Sequence, residues 1–260
     1  KELKNNRSPN LKDSMKGSYL GPEFSDDEIE LSLKKLGATY NNFPEIEIIN
    51  ISAKKLSEGK TIGWFQGKME FGPRALGARS IIADSRSDNM QKNLNLKIKF
   101  RESFRPFAPS IIREDLSKWF DMDVDTPYML MVSKVKKDIR KAMSEDEKKL
   151  FGIDKLNISR SKIPAVTHID YTSRIQTVHK ETNSKYYKLI KKFKEITNCP
   201  VIVNTSFNIR GEPIVCSIED AYRCFMGTNL DMLVCGNFIL YKEKQNRKLI
   251  EDYKNNFQLD

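Results

Sequence analysis

Short apolar runs of five or six residues recur along this chain between stretches with helical periodicity, and that mixture constrains the fold more than any other feature. TIGWF from Thr61, SIIAD from Ser80, FAPSII from Phe107, PYMLMV from Pro127, AVTHI from Ala165, RIQTV from Arg174 and PVIVN from Pro200 each read as a strand. DMLVC from Asp231 and FILYK from Phe238 read as a closing pair turned across Gly236 and Asn237. Ser25 and Glu28 form a capping box ahead of Ile29, Leu33 and Leu36, so a helix starts there. Further helices are predicted from about Asp88 to Leu96, from about Ser184 to Thr197, and after a cap at Ser217. Strands and helices do not alternate strictly. The fold class is therefore α/β, with a mixed sheet flanked by helices rather than a purely doubly wound one.

A length of 260 residues suits one sizeable domain, and 39% hydrophobic with 10% aromatic residues is enough for a real core. Residues 1–24 are polar, with Pro9, Gly17, Gly21 and Pro22, and read as a linker or strap from a missing amino-terminal domain. The domain proper is expected over 25–243 and a polar tail over 244–260. The charged stretch from about Lys136 to Lys162 reads as an exposed helical excursion. No apolar run is long enough to span a bilayer and the amino end lacks a signal-peptide core, so the expectation is a cytoplasmic protein that does not engage a membrane. The four cysteines are irregularly spaced and there are only two histidines, so no metal ligands are assigned and the thiols are expected reduced and buried.

The net charge of +10 is uneven. Between Lys60 and Arg113 eleven basic residues stand against four acidic ones, which leaves the rest of the chain nearly balanced. Such an excess suits phosphate-bearing small molecules or nucleic acid, with a solvated basic face as the plainer alternative.

Four polar segments interrupt the apolar pattern. In GKMEFGPRALGARS, Gly67, Gly72 and Gly77 surround Arg74 and Arg79, an arrangement that can bring backbone amides and guanidiniums to an anion or simply turn the chain between strands. NLKIKFRESFRPFAPS gathers Asn95, Lys97, Lys99, Arg101 and Arg105 around Glu102; Lys99 and Arg101 share a face if the stretch is extended. Cations converging ahead of an apolar strand need an anion, and Glu102 is the internal candidate. VTHIDYTSRIQTV alternates His168, Asp170, Thr172, Arg174 and Gln176 with other residues, as one face of a strand would, whether that face meets ligand or solvent. His168 beside Asp170 admits acid–base work as well as a structural role. PVIVNTSFNIRGEPIV ends a strand in Asn204, Thr205, Ser206 and Asn208 before Arg210; such groups at a strand's carboxyl end bind phosphate or ribose oxygens, or cap a turn.

In this order, FGPRALGARS, KFRESFRPFAPS, THIDYTSRIQTV and NTSFNIRGEPIV resemble the O-carbamoyltransferase family of nodulation-factor, cephalosporin and aminoglycoside carbamoyltransferases, over about Leu20 to Tyr241. The resemblance implies the carboxyl-terminal part of such an enzyme. That part would be a YrdC-like twisted mixed sheet around a basic cavity, forming carbamoyl-adenylate from ATP, Mg2+ and carbamoyl phosphate. Transfer to the hydroxyl acceptor would fall to an amino-terminal Kae1-like domain that holds a metal. By the same resemblance Lys99 and Arg105 hold carbamoyl phosphate and the ATP phosphates, each as a cation aimed at phosphate rather than a core contact. Arg74 and Arg174 orient carbamate and the α-phosphate, and Asn204 with Ser206 binds phosphate oxygens. Lys99, Arg105 and Ser206 are the catalytic candidates. Arg74, Arg101, His168, Asp170, Arg174, Asn204, Asn208 and Arg210 are the binding candidates. Ala78 stands where the family usually has asparagine, and Tyr171 where it has glycine.

The rival reading is a module that binds nucleic acid, double-stranded RNA in particular, favoured by a pI of 9.3. The basic residues are interleaved with glycines and acids instead of exposed aromatics, which argues against it. A domain of the same fold using threonine and bicarbonate is the other rival, and the four segments argue against that.

Overall fold

The computed structural model describes residues 13–156, 158–246 and 253; expectations for the rest of the strap and the tail lie outside the described residues. The helices are α1 (Asp26–Lys35), α2 (Glu45–Ser57), α3 (Met90–Lys97), α4 (Leu116–Trp119), α5 (Glu145–Lys149), α6 (Gly152–Leu156), α7 (Ser184–Thr197) and α8 (Ile218–Gly227). The strands are β1 (Asn41–Asn42), β2 (Ile62–Phe65), β3 (Arg79–Asp84), β4 (Ala108–Ile112), β5 (Met131–Lys134), β6 (Thr172–Val178), β7 (Val201–Ser206), β8 (Met232–Cys235) and β9 (Phe238–Tyr241). They form one sheet in the order β1-β9-β8-β2-β3-β7-β4-β6-β5. The β2–β8 and β4–β6 pairs are parallel and the others antiparallel, so the sheet is mixed, as the irregular succession of elements predicts.

Local chemistry sets the helix ends. Ser25 with Glu28, and Ser217 with Asp220, close full capping boxes on α1 and α8. The Asn183 side chain accepts from the Tyr186 amide to cap α7, and Asn198 ends it in the left-handed region at φ 58°. Tyr186, Leu189, Ile190 and Phe193 form the buried stripe of α7, at the spacing of a single helix face. This helix packs on α2 and against β4 and β7, while α1 packs on α8, which lies against β2 and β8. The strands between are almost wholly buried: β2, β3, β4 and β8 have no exposed residue.

Three expectations need correction. Residues 165–169 are not a strand: Pro164 opens a 3-10 turn over Pro164–Val166, and the chain then bends back through Tyr171 at φ 64° before β6 begins. The strand expected from Pro127 begins only at Met131, after Met129 at φ 55°. Helix α2 was not anticipated, because its buried set Ile48, Ile49, Ser52, Ala53 and Leu56 is diluted by isoleucines outside that face and by short polar residues. Among its described residues the charged excursion holds the short helices α5 and α6 and a 3-10 turn over Lys137–Ile139 rather than a long helix.

Gly77 shows how tightly the first polar segment is seated. It sits at φ 104°, and a Cβ there would lie 2.3 Å from Cδ1 of Tyr186, whose hydroxyl is tied to Ser110 Oγ at 3.0 Å. Gly77→Ala is expected to cost on the order of 3 kcal/mol, from backbone strain plus overpacking, and to show as a lower urea midpoint at unchanged slope.

Candidate active site

Strand β7 carries Asn204 and Ser206 two residues apart, hence on one face, and each ties down one of the cationic segments. On the Ser206 side lies Lys99. It is 3% exposed, and its ammonium donates to Asn208 Oδ1 at 2.7 Å, to Asn208 O at 2.8 Å and to Ser206 Oγ at 3.3 Å, with Ser206 O also within reach. Ser206 Oγ donates in turn to Asn208 Oδ1 at 2.6 Å, and Asn208 Nδ2 donates to Glu212 O. Burial, reinforced by the nearby Arg101 charge, pushes the Lys99 pKa down to about 7. The expectation that Lys99 makes no core contact is therefore corrected: it is part of the core and joins α3 to the end of β7.

The 98–105 stretch is not extended. Phe100 takes φ 49°, and the Lys99 and Arg101 amides fold back onto Leu94 O and Asn95 O. Lys99 is turned inward. The Arg101 guanidinium donates to Asn95 Oδ1 at 2.7 Å and stacks on the Phe107 ring; burial, and then the Arg105 charge, lower its pKa to about 10. Glu102 does act as the internal carboxylate, but for Arg105 at 2.9 Å and Arg210 at 3.4 Å, not for Lys99.

On the Asn204 side the glycine-punctuated segment is clamped by a residue the sequence reading passed over. The buried Glu70 carboxylate accepts from the Leu76 and Ala78 amides, both at 2.6 Å, and from the Arg79 amide at 3.1 Å. The carbonyls of the same turn are held too. Asn204 Nδ2 donates to Ala75 O, Gln176 Nε2 to Leu76 O, and Trp64 Nε1 to Gly77 O. Because Gln176 Nε2 faces a carbonyl, its Oε1 is the acceptor for Asn204 Nδ2 at 2.8 Å and Ser110 Oγ at 2.6 Å. Both Asn204 donors are thus engaged within the protein, while its buried Oδ1 accepts no bond among the described residues. A lone acid just before a run of glycines and arginines was the available signal for Glu70.

Arg79 and Arg74 diverge. Arg79 is fully buried, with its guanidinium donating to the carbonyls of Gln66, Gly67, Ala78 and Pro22 and lying 3.6 Å over the Phe65 ring. It pins the strap to the sheet and has no geometry for a ligand. Arg74 is exposed at the tip of the clamped turn. It stands close enough to Arg174 on β6 that its charge, after burial, lowers the Arg174 pKa. Neither guanidinium has a carboxylate or hydrogen-bond partner among the described residues. Two like charges left together without a counter-charge repel each other, and a bound anion would relieve that repulsion.

His168 and Asp170 occupy the bend before β6. Asp170 Oδ1 accepts from the Thr172 amide at 3.0 Å and from Thr172 Oγ1 at 2.6 Å, and His168 Nδ1 lies 3.1 Å from Thr172 Oγ1. Burial lowers the His168 pKa, and the Arg174 charge adds to that. Tyr171, the departure from the family's glycine, is the left-handed residue of this bend, a conformation glycine adopts without cost, and Arg140 stacks on its ring at 4.7 Å. Among the described residues no group of three or more His, Cys, Asp or Glu side chains could hold a metal.

The family model described as the carbamoyltransferase C-terminus matches residues 53–242, which contain every residue of this site. The chain belongs to the carbamoyltransferase family. It is 51% identical over 99% of its length to an uncharacterized protein of Synechocystis sp.. It is 39% identical over 86% of its length to nodulation protein NolO of Bradyrhizobium diazoefficiens, and 32% identical over 70% to the 3'-hydroxymethylcephem-O-carbamoyltransferase of Streptomyces clavuligerus. It covers 42%, 38% and 30% of those three proteins, so the chain spans less than half the length of these curated relatives. No described helix is long and apolar enough to cross a membrane.

Proposed function

We propose that this carbamoyltransferase-family chain makes carbamoyl-adenylate from ATP and carbamoyl phosphate, the first half of O-carbamoyl transfer to a small-molecule hydroxyl. The observation that carries the reading is the unpaired Arg74 and Arg174 couple, which stands across Asn204 from the Lys99 and Ser206 cluster. Carbamoyl phosphate is hydrolysed to phosphate and carbamate; a carbamate oxygen then bonds to the α-phosphorus of ATP as its bond to pyrophosphate breaks. Both steps concentrate negative charge, so fixed cations and preorganised donors supply the catalysis. Arg105 and Arg74 meet the phosphates from the exposed side, Arg174 meets the α-phosphate, and Lys99 supplies charge from beneath while it orients Ser206. Asn204 has no donor left for phosphate and serves to hold the Arg74 turn. Magnesium, arriving with the triphosphate, screens its charge. Transfer to the acceptor is assigned to an amino-terminal Kae1-like domain. The double-stranded RNA reading finds no support in the relatives.

Incubation of the chain with ATP, magnesium and carbamoyl phosphate is expected to release pyrophosphate and yield carbamoyl-adenylate, detected by mass spectrometry, without carbamoylating any hydroxyl compound. Absence of pyrophosphate above the level seen without carbamoyl phosphate defeats the proposal. Ser206→Glu is expected to suppress release far more than Ser206→Ala, because a carboxylate replacing the hydroxyl that lies 3.3 Å from the Lys99 ammonium would take the anion's place. Alanine removes a single hydroxyl, worth about 1 kcal/mol. Equal rates for the two variants would place Ser206 away from the phosphates.

A further inference from the structure

We propose that Tyr253 is a positioning residue of the Lys99 site, acting through Glu212, which rests on the place given to Lys99 in the adenylation reading. Tyr253 belongs to the stretch expected to be a polar tail, yet it is 1% exposed and joins the hydrophobic core. It is seated against the end of α8, where a Cβ on Gly227 would lie 2.2 Å from Tyr253 Cβ. Its hydroxyl donates to Glu212 Oε1, and Arg223 of α8 is a second hydrogen-bond partner. A buried phenol needs such a partner, and here the partner is a carboxylate that is itself only 8% exposed.

Glu212 carries the contact on to the site. Its Oε2 accepts from the Ile209 amide at 2.8 Å and its backbone O from Asn208 Nδ2 at 2.6 Å, so Glu212 holds the turn that follows β7. With Nδ2 committed to a carbonyl, Asn208 Oδ1 is the atom that meets the Lys99 ammonium at 2.7 Å. Charge follows the same path. The Glu212 carboxylate favours protonated Lys99 and Arg101 opposes it, while burial keeps the neighbouring Cys224 thiol neutral. Glu212 in turn is faced by Tyr253, Cys224, Arg223 and Lys99; burial raises its pKa, and the Tyr253 and Ile209 bonds pull it back down. Deleting the phenol therefore makes Glu212 easier to protonate and loosens the turn that presents Asn208. Either change withdraws support from the ammonium, so both lower the Lys99 pKa from about 7.

The titration of Lys99 tests this on the whole chain, followed by the NMR shift of its ε-carbon with isotope-labelled lysine and assigned by the signal missing from Lys99→Met. In Tyr253→Phe, Lys99 is expected to titrate about half a pH unit lower, the scale of one weakened charge contact. At pH values above that titration, pyrophosphate release should fall about threefold, the same half unit on the alkaline limb, and the two chains should converge at acid pH where Lys99 is protonated in both. A loss of packing alone would lower the rate at every pH. Glu212→Gln is expected to shift the Lys99 titration in the same direction, and adding Tyr253→Phe to it should shift it no further. An unchanged Lys99 titration in Tyr253→Phe, or shifts that add in full in the double variant, overturn the proposal. An unaltered chain that releases no pyrophosphate defeats the adenylation reading, and the titration still decides whether Tyr253 acts on Lys99.

Discussion

Lys99→Ala is expected to abolish pyrophosphate release and to lower the melting temperature markedly, whereas Arg105→Ala should abolish or nearly abolish release with melting unchanged. The two cations differ in burial. Removing the Lys99 ammonium takes the charged donor away from Ser206 O, Asn208 O and Asn208 Oδ1 and opens a cavity beneath β7. Such a loss amounts to about 3–5 kcal/mol, a large part of a typical domain's stability. Arg105 is half exposed and paired with Glu102, so its deletion costs the fold little and its effect should appear in turnover. The pH dependence of Lys99→Met separates the charge from the packing. The folded pKa of about 7 lies below the unfolded value of 10.5, so between those limits the unfolded chain binds the extra proton. Stability of the unaltered chain relative to Lys99→Met should therefore rise as pH increases through that window. A difference that is flat with pH, or an Lys99→Ala chain that melts normally, would contradict the buried position.

Glu70→Gln should be nearly as damaging although it removes no atom. A single carboxylate oxygen accepts the Leu76 and Ala78 amides at 2.6 Å, and the Arg79 amide completes the set. Glutamine offers one acceptor and one N–H2 group, so either amides lose charge-assisted bonds or an N–H2 faces an N–H. The expected cost is about 2–4 kcal/mol, three such bonds being weakened together. Activity should fall further than stability accounts for, because the turn that presents Arg74 loses its shape. In a double-mutant cycle, Arg74→Ala should then have a smaller effect on ATP affinity in the Glu70→Gln background than alone. Fully additive losses would mean that Glu70 supports the fold without placing Arg74.

The architecture could be read from patterning because the elements that matter carry strong local signals: the Ser25 and Ser217 capping boxes, the α7 stripe from Tyr186 to Phe193, and β-branched runs such as Val201–Val203. The four polar segments could also be read as belonging together, since side-chain types at fixed spacing are properties of the chain alone. Tertiary structure decided which member of each segment is free to meet a ligand. Arg74 and Arg79 look equivalent in sequence, yet one ends exposed beside Arg174 and the other is consumed by four carbonyls. Lys99 and Arg105 look alike as cations, yet the bend at Phe100 buries one and leaves the other at the surface. The roles of Glu70 and Gln176 depend on strands distant in sequence bringing their side chains to one turn. Local chemistry reports what a segment can bond; which bonds are already made inside the protein depends on contacts between segments, and these exist only once the sheet has closed.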